Sequence, residues 1–148
     1  MNAKEYLSQI KRFDLIIGQK KEQLEELRSS LTNVVADPSK EHVSGGMNGE
    51  ARFAKTVERI VVLEKELDDH IQSFFNHKHT IVTRIQMLEN INYSCVLYER
   101  YVRYRSFEEI ADAMNYSVSY VRTLHGWALL TFSKKYAPFA PFSKHHTK

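Results

Sequence analysis

A chain of 148 residues with 43% hydrophobic and 26% charged side chains suits one or two small domains and excludes disorder throughout. Five Gly and three Pro are too few for a turn-dense β-sandwich or barrel, and a single Cys excludes an intrachain disulfide framework or a multi-cysteine zinc site. The net charge of +3 hides an asymmetry: residues 1–90 hold 13 Lys+Arg against 14 Asp+Glu, whereas residues 91–148 hold 8 against 4.

Residues 113–148 carry five basic side chains and no acidic one, and 12 of the 17 Phe, Trp and Tyr residues lie after position 90. Charge and aromatic content therefore both change near Asn90, the expected domain boundary. No apolar run is long enough to span a bilayer, and the first residues lack the apolar core of a secretory signal. With one Cys, these features predict an all-α protein of a reducing cytoplasm, without a membrane partner.

In chain order, the first element is a helix from Asn2 to about Leu31. Its apolar positions Tyr6, Ile10, Phe13, Ile17, Leu24, Leu27 and Leu31 keep a 3–4 spacing, the seam a helix buries against a partner helix. Gly18 is a weak point or a place of close contact within it. Residues 32–50 hold one Pro and three Gly without periodicity and read as a flexible loop, with Gly45-Gly46 at its tip.

A second seam runs Phe53, Val57, Ile60, Leu67, Ile71, Phe74, Ile81, Ile85, Leu88. As one helix from Ala51 to Glu89 it would be about 58 Å long. Residues 1–90 are thus expected to form a long helical hairpin, a coiled coil. Its thin core is better buried if two copies pair, so a homodimer is expected. The plainer alternative is an intramolecular hairpin stacked on the C-terminal domain.

The histidines do not suggest a metal site. His77 and His79 point to different sides of a helix, His70 is too distant, and His145 and His146 sit in a polar tail, so solvated histidines are expected. Cys95 lies in an apolar helical run, where a packed thiol is the default. No catalytic constellation stands out. Neither an enzyme nor a metal or cofactor site is expected.

Residues 91–137 carry most of the information. Tyr93–Tyr104 reads as a helix. Ser106 and Glu109 form a capping box for a short helix burying Phe107, Ile110, Ala111 and Met114. Asn115-Tyr116-Ser117 interrupts the pattern, and a second helix then places Val118, Val121, Leu124, Ala128 and Phe132 on one side. This is a three-helix unit ending in a helix-turn-helix.

Left outside on the first turns of the second helix are Ser119, Tyr120, Arg122, Thr123 and Gly126, where a recognition helix enters the major groove. Arg122 can read guanine bidentately or hold a phosphate. Ser119 and Thr123 suit a base edge, Tyr120 a phosphate or base face, and Gly126 a close backbone approach. Lys134 and Lys135 would add phosphate contacts. Each is also an ordinary surface residue in the plainer reading. Trp127 and Leu130 face away from the trihelical core, so a docked neighbour such as the stem is expected over them. The tail 138–148 is basic and expected to be disordered, its aromatics being able instead to clamp the domain.

The run Val121-Arg122-Thr123-Leu124-His125-Gly126-Trp127-Ala128-Leu129 resembles the recognition helix of the fourth conserved region of bacterial sigma factors, and Ser106–Asn115 resembles that region's preceding helix. Over roughly residues 1–136 the chain resembles ArpU-like phage transcriptional regulators. The carrying features are the opening MNAKEYLSQIKRFD, Arg100-Tyr101 and the signature Leu124-His125-Gly126-Trp127-Ala128-Leu129. The resemblance implies a homodimeric double-stranded-DNA-binding regulator of phage late genes in a bacterial host cytoplasm. It implies DNA contacts at Ser119, Tyr120, Arg122 and Thr123, and RNA polymerase as a further partner. Nothing resembles the sigma region that binds core polymerase and melts DNA, so a complete sigma factor is not expected. Two other readings share these features: a small-terminase-like DNA-packaging factor, and a protein-binding adaptor that targets host transcription proteins.

Overall fold

The structure is a computed structural model that describes residues 1–36 and 49–142. All regular structure among these residues is helical. Two long helices come first, α1 (Ala3–Ala36) and α2 (Gly49–Gln86), then α3 (Ile91–Leu97), a π-helical turn (Tyr98–Val102), α4 (Phe107–Met114) and α5 (Val118–Tyr136). No helix among the described residues is long and apolar enough to cross a membrane.

α1 runs past its expected end near Leu31 to Ala36, whereas α2 starts two residues before Ala51 and stops at Gln86, three residues short of Glu89. Residues 32–36 belong to α1 and 49–50 to α2; the rest of the loop expected over 32–50, Gly45-Gly46 included, lies outside the described residues.

By packing, the chain forms two compact units. Asn90, the expected boundary, lies inside one of them. That unit takes Met1–Asp14 and everything from Ser73 onward. Its core joins Tyr6, Leu7 and Ile10 of α1 and Ile81 and Ile85 of α2 to Leu88, Val96, Leu97, Ile110, Val121, Leu124, Ala128 and Phe132. Each such large side chain contributes about 1.5–3 kcal/mol on burial. Asn90 is the N-cap of α3, its side chain accepting from the amides of Asn92 and Tyr93. A helix start in the sequence is therefore not a domain edge.

Arg84 ties three elements of this unit together. Its Nη1 donates to the Tyr6 hydroxyl at 2.8 Å, its guanidinium lies over the Tyr6 and Tyr136 rings, and its carbonyl accepts from the Tyr136 hydroxyl at 3.0 Å. The π-helical turn ends with Tyr104 in the left-handed region (φ 58), an unfavourable conformation for a bulky side chain, and the Tyr104 hydroxyl donates to the Asp14 carboxylate.

The expectation of a disordered tail fails for its first residues. Phe139 is buried, stacked 4.8 Å from the Tyr6 ring and 5.7 Å from Phe132, and Phe142 packs on Phe13 and His77. Aromatic burial outweighs the ordering entropy of these few residues, so the clamp alternative describes them. His77 is likewise not a solvated histidine. It is half-buried against Tyr6 and Phe13, its Nε2–H donates to Gln9 Oε1 at 2.7 Å, and burial lowers its pKa, with Arg84 adding to the effect. His145 and His146 lie outside the described residues.

The second unit, Leu15–Gln72, packs the rest of α1 and α2 through Ile17, Leu24, Ile60 and Leu67. Exposed ion pairs flank them, Lys20 with Glu66 at 3.3 Å and Arg28 with Glu64 at 2.7 Å. Gly18 meets no neighbour, so it marks no close approach.

Candidate nucleic-acid interface

The two C-terminal helices are positioned by their caps. Ser106 accepts from the Glu109 amide while the Glu109 carboxylate accepts from the Ser106 amide, completing the capping box that starts α4. α4 ends at Asn115 in the left-handed conformation (φ 57), which Asn tolerates better than most residues, and the next amide, of Tyr116, bonds back to Ala111 O at 3.0 Å. Ser117 then caps α5 by accepting from the Tyr120 amide at 3.1 Å. The three-residue turn is thus specified by side chains at both ends.

Burial fixes how α5 is rotated. Val121, Leu124, Ala128 and Phe132 are buried, Val118 is half-buried, and Ile110 and Ala111 of α4 lie in the same core. At 100° per residue the opposite side of α5 must face solvent. Ser119, Arg122, Thr123 and Gly126 do so. The N-terminal turns of α5 also carry the positive end of the helix dipole, which favours an anion there.

The expected site residues differ in how far they are free to act. Arg122 reaches over the Phe107 ring, 5.2 Å from its centroid, and its Nη2 stands 3.8 Å from Glu108 Oε1 in a pair open to solvent. Such a pair is worth little and is readily exchanged for a phosphate or a base. Thr123 Oγ1 donates to Ser119 O at 3.2 Å, leaving its lone pairs and methyl outward. A Cβ built on Gly126 would meet nothing within 4 Å, so the surface there is open. Lys134 is exposed. Lys135 is engaged: its Nζ donates to Met87 O at 2.6 Å, just past the end of α2, where a cation offsets the helix dipole.

Tyr120 belongs to an aromatic row. It meets Tyr116 edge-to-face at 4.8 Å and Trp127 at 6.5 Å. The neighbour expected over Trp127 and Leu130 does not cover them. Both side chains are about half exposed or more. α5 therefore presents a polar, basic side and an aromatic side next to each other.

Sequence reasoning missed the support beneath Arg122. Phe107 has the Arg100 guanidinium 4.2 Å from its centroid and the His125 ring edge-on at 5.1 Å. His125 stacks on Tyr101, with Nε2 and the phenol oxygen 2.7 Å apart. Burial pushes the Tyr101 phenol up to about 12. Burial, helped by the charges of Arg100 and Lys4, pulls His125 down to about 4. Both groups are neutral near pH 7, and the pair works as an uncharged brace rather than a proton relay. In the sequence Arg100-Tyr101 and His125 stand in separate signature runs, and the 24 residues between Tyr101 and His125 give no periodic signal.

Burial and Glu99 raise the pKa of the Cys95 thiol, which disfavours the reactive thiolate. Among the described residues no group of three or more His, Cys, Asp or Glu is placed to hold a metal. No family model matches the chain, and no curated protein or solved structure matches it either.

Proposed function

We propose that this chain is a sequence-specific double-stranded-DNA-binding transcriptional regulator that acts as a homodimer. In this reading α4 and α5 form a helix-turn-helix of the sigma region-four type. The start of α5 enters the major groove, with Arg122, Ser119 and Thr123 at base edges, Tyr120 and Lys134 on the backbone, and Gly126 admitting it closely. The long helices form a hairpin that pairs two such heads and offers a surface to RNA polymerase. The ArpU-like resemblance supplies the setting, control of phage late genes in a bacterial host cytoplasm.

One observation carries the reading. The outward side of α5 bears Ser119, Arg122, Thr123 and Gly126 together, on the acid-free stretch of the chain, while its inward side is locked in the core. The test is selection from a random duplex pool, then anisotropy titration of the selected site at several salt concentrations. Specific binding must weaken steeply with salt, because each neutralised phosphate releases counterions. Arg122→Ala should cost about 1–3 kcal/mol, roughly 5- to 150-fold, if the guanidinium reads a base. No duplex binding even at low salt rejects the reading.

The adaptor alternative has one specific observation in its favour, the exposed Tyr120, Trp127 and Leu130. Under that reading a host transcription protein binds the chain without DNA, and Trp127→Ala abolishes that binding while Arg122→Ala leaves it intact.

A further inference from the structure

One acidic side chain stands beside the outward residues of α5. Residues 113–148 hold no acid, yet Arg122 has a carboxylate next to it, supplied by Glu108 of α4. The contact is loose. Nη2 and Oε1 are 3.8 Å apart and the two side chains are 61 and 65% exposed, so each keeps its capacity for other hydrogen bonds. Both stand on fixed supports. Arg122 reaches over the Phe107 ring, which packs against the core and carries the Arg100 guanidinium and the His125 ring. Glu108 follows Phe107 in the first turn of α4, whose start is set by the Ser106–Glu109 capping box.

A carboxylate here opposes a phosphate contact, since it repels the backbone oxygens that Arg122 would hold. It suits a base edge instead. In the major groove guanine presents two acceptors, N7 and O6, and its paired cytosine presents the N4 amino donor. O6 and N4 are neighbours, about 2.9 Å apart across their own hydrogen bond. A guanidinium fork beside a carboxylate oxygen is the complement of that edge, two donors followed by one acceptor. We infer that Arg122 and Glu108 together read a single G·C pair, Arg122 donating to N7 and O6 of guanine and Glu108 accepting from N4 of cytosine.

The same arrangement rejects the other pairs. A·T sets the adenine N6 donor against the guanidinium and the thymine O4 acceptor against the carboxylate, and C·G reverses the whole pattern. T·A keeps one acceptor and one donor in place, but puts the thymine methyl where guanine N7 would take the second arginine bond. The inference rests on the DNA-binding reading and names a base pair that the target contains. A Glu108 that served only α4 would offset the helix dipole and have no bearing on sequence.

The test uses the full chain. Sites selected from a random duplex pool should share a G·C pair whose preference Arg122→Ala removes. Replacing that pair by A·T or C·G should weaken wild-type binding roughly 5- to 150-fold. Glu108→Ala, at an exposed position, should erase most of the preference at the same pair while leaving helix content and the preferences at other positions unchanged. Altered duplexes probe the atoms without any variant. Wild type should bind several-fold more weakly when the guanine is 7-deazaguanine, which lacks N7, or when the cytosine is an analogue without its 4-amino group. Loss of that amino group should make no difference to Glu108→Ala. Three results each overturn the inference while leaving the DNA-binding reading intact: selected sites without a shared G·C pair, an amino deletion that wild type ignores, and a Glu108→Ala chain that keeps the full preference. Absence of duplex binding overturns both.

Discussion

Gly126 and the two lysines near the end of α5 separate what a side chain does for the fold from what it does for DNA. A methyl group at position 126 meets nothing within 4 Å, and glycine inside a helix costs about 1 kcal/mol relative to alanine. Gly126→Ala should therefore raise the unfolding free energy by about 0.5–1 kcal/mol in urea titration. If the DNA backbone lies against this position, the same variant should bind its selected site at least several-fold more weakly. A variant both more stable and equally tight in binding would remove Gly126 from the interface. Lys134 and Lys135 should part in the opposite way. Lys134→Ala should lower the dependence of log affinity on log salt by about one unit, the signature of one phosphate contact. Lys135→Ala should instead cost stability, because Nζ holds Met87 O at 2.6 Å and offsets the dipole of α2.

The caps and the C-terminal strap decide stability among the elements. Ser106→Ala removes the side-chain bond of the capping box, from the Glu109 amide to the Ser106 hydroxyl, and a helix of eight residues has little else to hold its first turn. The expected loss is about 1 kcal/mol, read as a lower denaturant midpoint with the slope unchanged. Phe139→Ala should cost about 3 kcal/mol, since the ring is buried between Tyr6 and Phe132. An unaltered midpoint would mean that the strap adds nothing to the fold. These two sites also mark what a sequence reveals. The capping box, the turn at Asn115-Tyr116-Ser117 and the inward set Val121, Leu124, Ala128 and Phe132 were legible because caps and helical periodicity act over a few residues. The burial of Phe139 was not, because Tyr6 lies more than 130 residues away in the chain and the non-helical stretch that joins Phe139 to Phe132 has no periodicity to read. Leu7, off the expected seam yet buried, is a second case. The first turns of α1 are enclosed on more than one side, and a single 3–4 stripe cannot report that. At the candidate interface the outward residues followed from the inward ones by geometry. The Arg100–Phe107–His125–Tyr101 support did not, because stacking between rings leaves no spacing to read.

At the scale of the whole molecule, the two half-buried imidazoles make stability sensitive to acid. His125 is held down at about 4 in the folded chain, and His77 is lowered as well, each chiefly by burial and in part by a neighbouring cation. In the unfolded chain an imidazole takes up its proton near 6.5. Between these values the unfolded chain binds more protons than the folded one, so stability falls as the pH falls. The contribution is present in full above about 6.5 and is eroded progressively below it. The urea midpoint, followed by circular dichroism, should therefore hold level from pH 8 to 7 and drop between pH 7 and 5. That interval lies above the range where ordinary carboxylates titrate. His125→Gln should lower the midpoint at pH 7 by removing the stack on Tyr101, and it should also flatten the decline toward pH 5, leaving the share of His77. Proton resonances of the histidine rings give the independent check. One imidazole should remain untitrated down to about pH 4. A midpoint that rises on acidification, or a pH slope that survives undiminished when His125→Gln and His77→Gln are combined, would place the acid sensitivity elsewhere than in these rings.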